Sequence, residues 1–197
     1  MQDAILADPA KASVIDAIDI RYWYYEGNGK LYAPQGGQSL APRQQERIYK
    51  PKAPTFEDVY HAVHEYKEKY PAKAVLYSAD AYEHFGWAVF IAGGSLPALP
   101  ATTDKQFLTA ASAMQSVDLP GSPKDQWALG NVAKGYIVYS NTNSIHLDLA
   151  ANATYKAKWI NPKTGEVLQD EEQVKGGSNT EIKNPGTGEA ILWLVRI

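Results

Sequence analysis

The stretch Lys73–Pro100, KAVLYSADAYEHFGWAVFIAGGSLPALP, constrains the fold more than any other part of the chain. Ala74-Val75-Leu76-Tyr77 is too short for a helix and is bounded by polar residues, so it reads as a buried strand. Ser78, Ala79 and Asp80 form its exit loop, and Asp80 with Glu83 has the spacing of a helix N-terminal cap. Phe85 to Ala92 is apolar nearly all round, which predicts a helix buried on most sides and ended by Gly93-Gly94. Ser95 to Leu99 can then begin another extended segment. Strand, loop with a carboxylate, buried helix, strand is the order of a parallel β/α unit. Chemistry in such units sits on the loop after the strand, which singles out Asp80, with a plain helix cap as its alternative role.

Upstream, residues 3–12 read as the end of a helix stopped near Asp8-Pro9. Val14 to Trp23 alternates as a strand, with Ile15, Ala17, Asp19, Arg21 and Trp23 on one face and Val14, Asp16, Ile18, Ile20 and Tyr22 on the other. Asp19 and Arg21 therefore lie together beside Trp23, as a structural ion pair or as part of a site. Glu26 to Pro54 is a long loop rich in Gly and Pro, of a kind that is often functional. Within it Arg43, Gln44 and Gln45 suit recognition of hydroxyls or carboxylates, or simply solvate the loop. Thr55 to Lys69 is the clearest helix, capped by Thr55 with Asp58 and carrying an apolar stripe of Phe56, Val59, Tyr60, Val63 and Tyr66. His61 and His64 fall on its polar face with no third ligand in view, so no metal site is expected.

Beyond Pro100 the pattern changes. Thr102 or Thr103 can cap a helix carrying Phe107, Leu108, Ala111 and Met114, and Asp118 to Asp125 reads as a linker. Trp127–Leu129, Gly135–Tyr139, Ile145–Leu149, Tyr155–Ile160, Glu166–Leu168, Thr180–Ile182 and Ala190–Val195 are short strand candidates at β-sandwich spacing. Asn161-Pro162-Lys163-Thr164-Gly165 is a hairpin turn. The sequence thus predicts an α/β part followed by an all-β part, residues 1–120 and 121–197, with a boundary near Gly121. A net charge of −3 gives no electrostatic case for nucleic acid or an anionic membrane. No apolar run reaches the ~18 residues of a membrane span, and the first residues lack the basic and apolar regions of a signal peptide. The absence of cysteine removes disulfides and thiolate metal sites. No cofactor is expected.

Two stretches carry a family resemblance. Tyr155 to Glu166, YKAKWINPKTGE, followed by Asn184 to Leu194, NPGTGEAILWL, resembles the small β-sandwich named collagen-binding that follows the barrel in a family of bacterial glycoside-hydrolase-like proteins. Ile18 to Trp23, Leu40 to Gln44 and Phe85 to Gly94 resemble the last units of that barrel. The resemblance implies partial TIM-barrel-like β/α units followed by a small antiparallel β-sandwich. A whole barrel takes about 250 residues, so the chain is expected to be a C-terminal part that lacks the first half-barrel. The parent protein is expected to be exported, to the periplasm or beyond the cell.

Related barrels place a carboxylate nucleophile after a late strand. Here that position falls on Ser78-Ala79-Asp80, where the family's Glu is absent and Asp80 is the carboxylate. Glycoside cleavage needs two carboxyl groups flanking the bond. The resemblance makes Asp80 and Asp19 the catalytic candidates, with Arg21, Tyr22, Trp23, Arg43 and Gln44 binding the sugar, and an incomplete catalyst as the outcome. The competing expectation is a non-catalytic module that holds carbohydrate or protein through exposed aromatics such as Trp159 or Trp193. An open-edged half-barrel also calls for a second copy or the missing half as a partner.

Overall fold

The computed structural model describes residues 5–21, 24–25, 31–32, 54–79, 82–121 and 123–197. Contacts group the chain into two units, Met1–Val89 with Gly94–Pro97, and Phe90–Gly93 with Ala98–Ile197. The fold is mixed and strand-rich, dominated by one large antiparallel sheet.

In the first unit, helix α1 (Pro9–Ala12) is capped by the Asp8 carboxylate, which accepts from Ala10 N. Ile5 and Leu6 are helical and that helix ends before Asp8, as expected, while Pro9 opens a new helical turn because its fixed φ suits the first helical position. The turn continues to Val14 and Ile15 through bonds to Lys11 O and Ala12 O, so strand β1 is only Ala17–Ile20, shorter than the alternation predicts. Strands β2 (Tyr24–Tyr25) and β3 (Leu31–Tyr32) pair with each other. Helix α2 (Phe56–Lys69) carries the expected capping box between Thr55 and Asp58, and buries Val59, Tyr60, Ala62, Val63 and Tyr66. It packs against strand β4 (Ala74–Tyr77), which runs parallel to β1 with Ile18 beside Val75 and Ile20 beside Tyr77. Those four side chains are buried, while Asp19 and Leu76 form the pair on the other face. The Lys73 ammonium donates to Ala12 O and Ile15 O, 2.7 and 2.6 Å, and ties the start of β4 to the segment before β1.

After β4 a 3-10 turn (Tyr82–Phe85) leads into helix α3 (Gly86–Ile91), which ends as expected where Gly93 adopts φ 77°. Ser95–Leu99 is not a strand. Leu96 turns with φ 53° and is 85% exposed, and Pro97 follows without a donor for a ladder. Only Ser95 N bonds to β4, at Val75 O. Among the described residues the parallel sheet is the β1–β4 pair, and further barrel units are not seen there.

The second unit contains helix α4 (Lys105–Ala111). Its cap is Asp104, which accepts from Gln106 N and Phe107 N. The expected caps serve elsewhere: Thr103 Oγ1 donates to Pro100 O, and Thr102 Oγ1 to Thr164 O. Eight strands follow: β5 (Gln115–Val117), β6 (Gln126–Asn131), β7 (Gly135–Ser140), β8 (Ser144–Leu147), β9 (Thr154–Ile160), β10 (Val167–Lys175), β11 (Thr180–Lys183) and β12 (Ala190–Arg196). Six of them form an antiparallel sheet in the order β10-β9-β12-β7-β6-β5, and β8 pairs with β11 as a separate ribbon. Helix α4 and β5, upstream of Gly121, belong to this unit.

One hydrophobic core joins the sheet to the ribbon. Ala128, Val138, Tyr155, Ala157, Trp159, Leu192 and Leu194 come from the sheet, and Ile145, Leu147 and Ile182 from the ribbon. This arrangement is compatible with the expected β-sandwich. On the sheet's other face Trp193 meets the Phe107 ring edge-on, 5.5 Å between centroids, and Phe107 stacks on Phe90. With both faces covered, β12 reads as the unbroken apolar run AILWLV. Trp159 and Trp193 are only 1% and 6% exposed, so neither offers a surface for a ligand. The long edge strand β10 is blunted by two register shifts and by Glu171, which bridges Lys156 and Lys158 at 2.7 and 2.9 Å.

Candidate functional site

The parallel pair directs the carboxyl ends of β1 and β4 to the same side, and the polar residues there come from both strands. Asp19 is the third residue of β1, on the face opposite the buried Ile18 and Ile20. Its Oδ2 accepts from Arg21 Nε at 2.8 Å, just past the strand end. Its Oδ1 accepts from Ser78 Oγ at 2.6 Å, one residue beyond β4. The ladder itself continues to that point, since Ser78 N bonds Ile20 O at 3.1 Å, which fixes the serine opposite the carboxylate. The Asp19 side chain is 35% exposed and that of Arg21 65%, so the group faces solvent.

Both oxygens of Asp19 thus hold a protein donor, and the carboxylate is oriented from two sides. Such a group accepts hydrogen bonds from ligand hydroxyls with its remaining lone pairs. Arg21 adds a positive charge with a planar set of donors. Ser78, read from the sequence only as part of an exit loop, is the residue that links the two strand ends. The expected pairing of Asp19 with Arg21 is present. Asp80, Tyr22, Trp23, Arg43 and Gln44 lie outside the described residues. In the chain Asp80 follows Ser78 by two positions.

The two histidines of α2 each face a glutamate of their own helix: His61 Nε2 lies 3.5 Å from Glu57, and His64 Nε2 lies 3.6 Å from Glu68. The His64 ring also stacks on Tyr60 at 5.4 Å. Among the described residues no group of three His, Cys, Asp or Glu converges on one point. No helix among them is long and apolar enough to cross a membrane.

Fold and site together define a parallel β/α unit with a polar cluster at its strand ends, followed by a strand-rich unit. Residues 1–114 match the family described as Domain of unknown function (DUF6298). That span is more than half of the chain, and the chain belongs to this family. The match covers the polar cluster and ends just before β5. No curated protein matches the chain.

Proposed function

We propose that the chain is the C-terminal part of a glycoside-hydrolase-like barrel protein, in which the ends of β1 and β4 bind carbohydrate and the second unit is its β-sandwich. The observation that carries this reading is the Asp19 carboxylate, held between Arg21 and Ser78 at the carboxyl end of a parallel strand pair. Asp19 and Arg21 take sugar hydroxyls. Asp80, two positions after Ser78 in the sequence, is the second carboxylate that glycoside cleavage requires. The rest of the barrel comes from the missing first half or from a second copy of the chain.

The alternative is a carbohydrate-binding module without chemistry. It is favoured by the two protein donors on Asp19, which suit a positioning group better than a proton donor. Affinity electrophoresis in gels containing soluble polysaccharides, run beside an aryl-glycoside hydrolysis assay, separates the readings. Retardation without turnover supports binding alone. Turnover lost in Asp80→Asn supports the hydrolase. Neither retardation nor turnover with any substrate refutes both.

A further inference from the structure

The second unit contains a cavity of about 370 Å³, within the roughly 300–1,000 Å³ range of small-molecule sites. It opens at the end of the hydrophobic core, where β5, β6 and β7 approach the end of β8. Its walls include Val117, Leu119 and Leu147. Two carboxylates, Asp118 and Asp148, also line it, together with the Tyr136 ring and Asn131. Among the described residues no Lys, Arg or His lines it.

The polar groups differ in how far they are already used. Asn131 is structural: its amide donates to Ala113 O at 2.8 Å and its carbonyl accepts from Ala133 N at 3.0 Å. One oxygen of Asp148 accepts from Asn179 N at 2.8 Å. Neither the carboxylate of Asp118 nor the hydroxyl of Tyr136 has a hydrogen-bond partner among the described residues. Burial, and then the nearby Tyr155 and Asp148, raise the Tyr136 phenol above its ordinary value, so it is a neutral donor and acceptor at neutral pH. Arg196 donates through Nη1 to the backbone carbonyl of Val132 at 3.1 Å, and Lys134 is tied to the lining through its backbone N to Asn131 O at 2.9 Å. Both carboxylates are exposed, and no ion pair to either is seen among the described residues.

The Val117 and Tyr136 side chains pack directly over Gly130, so this glycine sets the position of two walls of the cavity. A Cβ there would come within 2.9 Å of Val117 Cγ2 and 3.0 Å of the Tyr136 ring, both part of the lining. Gly130 is not among the positive-φ glycines, so alanine there would act by pushing the Val117 and Tyr136 side chains aside rather than by straining φ.

We propose that this cavity binds a small organic ammonium, with the charged head between Asp118 and Asp148 and a short hydrocarbon body against Val117, Leu119 and Leu147. Carboxylates are acceptors only, and an ammonium offers three donors. The Tyr136 face adds attraction for a cation. A neutral alcohol of the same size fills the apolar part but offers the two carboxylates no opposite charge. The inference is independent of the carbohydrate site, which lies in the other unit.

The test is a titration of the full chain with n-butylammonium chloride, followed by amide chemical shifts, with n-butanol as the neutral control. The expected shifts cluster at Asp118, Val132 and Asp148. The alcohol and the variant Asp118→Asn should each weaken binding about fivefold, the worth of one exposed charge pair at contact distance. Gly130→Ala, with dispersion of the spectrum showing an intact fold, should weaken binding by displacing the Val117 and Tyr136 walls. Equal affinity for alcohol and ammonium, unchanged affinity in Asp118→Asn, shifts elsewhere, or none up to about 50 mM would each overturn the proposal.

Discussion

Replacing Gly135 with alanine should unfold the second unit at much lower denaturant. Gly135 starts β7 with φ 131°, a region that L side chains rarely adopt. A Cβ there would lie 1.9 Å from Leu194 O and 2.9 Å from Leu194 C. Those atoms belong to the backbone of β12, which pairs with β7 on one side and β9 on the other, so the clash cannot be relieved by turning a side chain. Backbone strain of about 1–3 kcal/mol and a steric cost of about 1–3 kcal/mol add to roughly 2–6 kcal/mol. That is a large share of the ~5–15 kcal/mol that stabilises a typical domain. Urea unfolding followed by tryptophan fluorescence reads this unit through Trp127, Trp159 and Trp193. At a slope of about 2 kcal/mol per molar the midpoint should fall by about 1–3 M. The control is Gly177→Ala, whose Cβ would meet only Thr180 Oγ1 at an ordinary 3.5 Å. A Gly135→Ala midpoint within about 0.2 M of the parent would refute the reasoning.

Other substitutions probe separate parts of the account. Asp104→Ala should cost about 1 kcal/mol in the same unfolding assay, because two amides at the start of α4 lose their acceptor. Trp159 is buried with its Nε1 unpartnered among the described residues. Trp159→Phe should therefore cost far less than Trp159→Ala, for which about 3–5 kcal/mol is expected. The Lys156 and Lys158 ammoniums lower the Glu171 carboxyl to about 2 from an ordinary 4.5. Its contribution to folding is present above the ordinary value and fades as pH falls from 4.5 toward 2. A carboxyl-carbon NMR titration should place the midpoint near the lower value and move it upward in high salt, since the site is exposed; a midpoint at the ordinary value would contradict the bridge.

The parts legible in the sequence are those with local signals. Thr55 and Asp58 cap α2 through contacts three residues apart. Alternation in β9 points Tyr155, Ala157 and Trp159 to the core. Asn161 and Gly165 close the predicted hairpin, with Asn161 Oδ1 accepting from Lys163 N and the Asn161 backbone carbonyl from Gly165 N. What escaped depends on partners distant in sequence. Strand β5, Gln115–Val117, is short and largely polar, and is a strand only because β6 pairs with it. Strand β10 extends through polar residues because it is an edge with little to bury. Leu96 defeats the expected strand by a single backbone turn that its apolar character does not announce. At the candidate site the Asp19–Arg21 contact spans two residues and could be read from a strand face. The Ser78 contact spans 59 residues and needed the parallel register of β1 and β4.

The central claim is that the carboxyl ends of β1 and β4 recognise carbohydrate through Asp19. Its most direct test is isothermal titration of the polysaccharide that best retards the chain, against the parent and against Asp19→Ala. Loss of a charged hydrogen-bond acceptor should weaken binding by about 1.5–3 kcal/mol, roughly tenfold or more, while the unfolding midpoint of the Trp159-containing unit stays the same. Binding of equal affinity in the variant would contradict the assignment of the site.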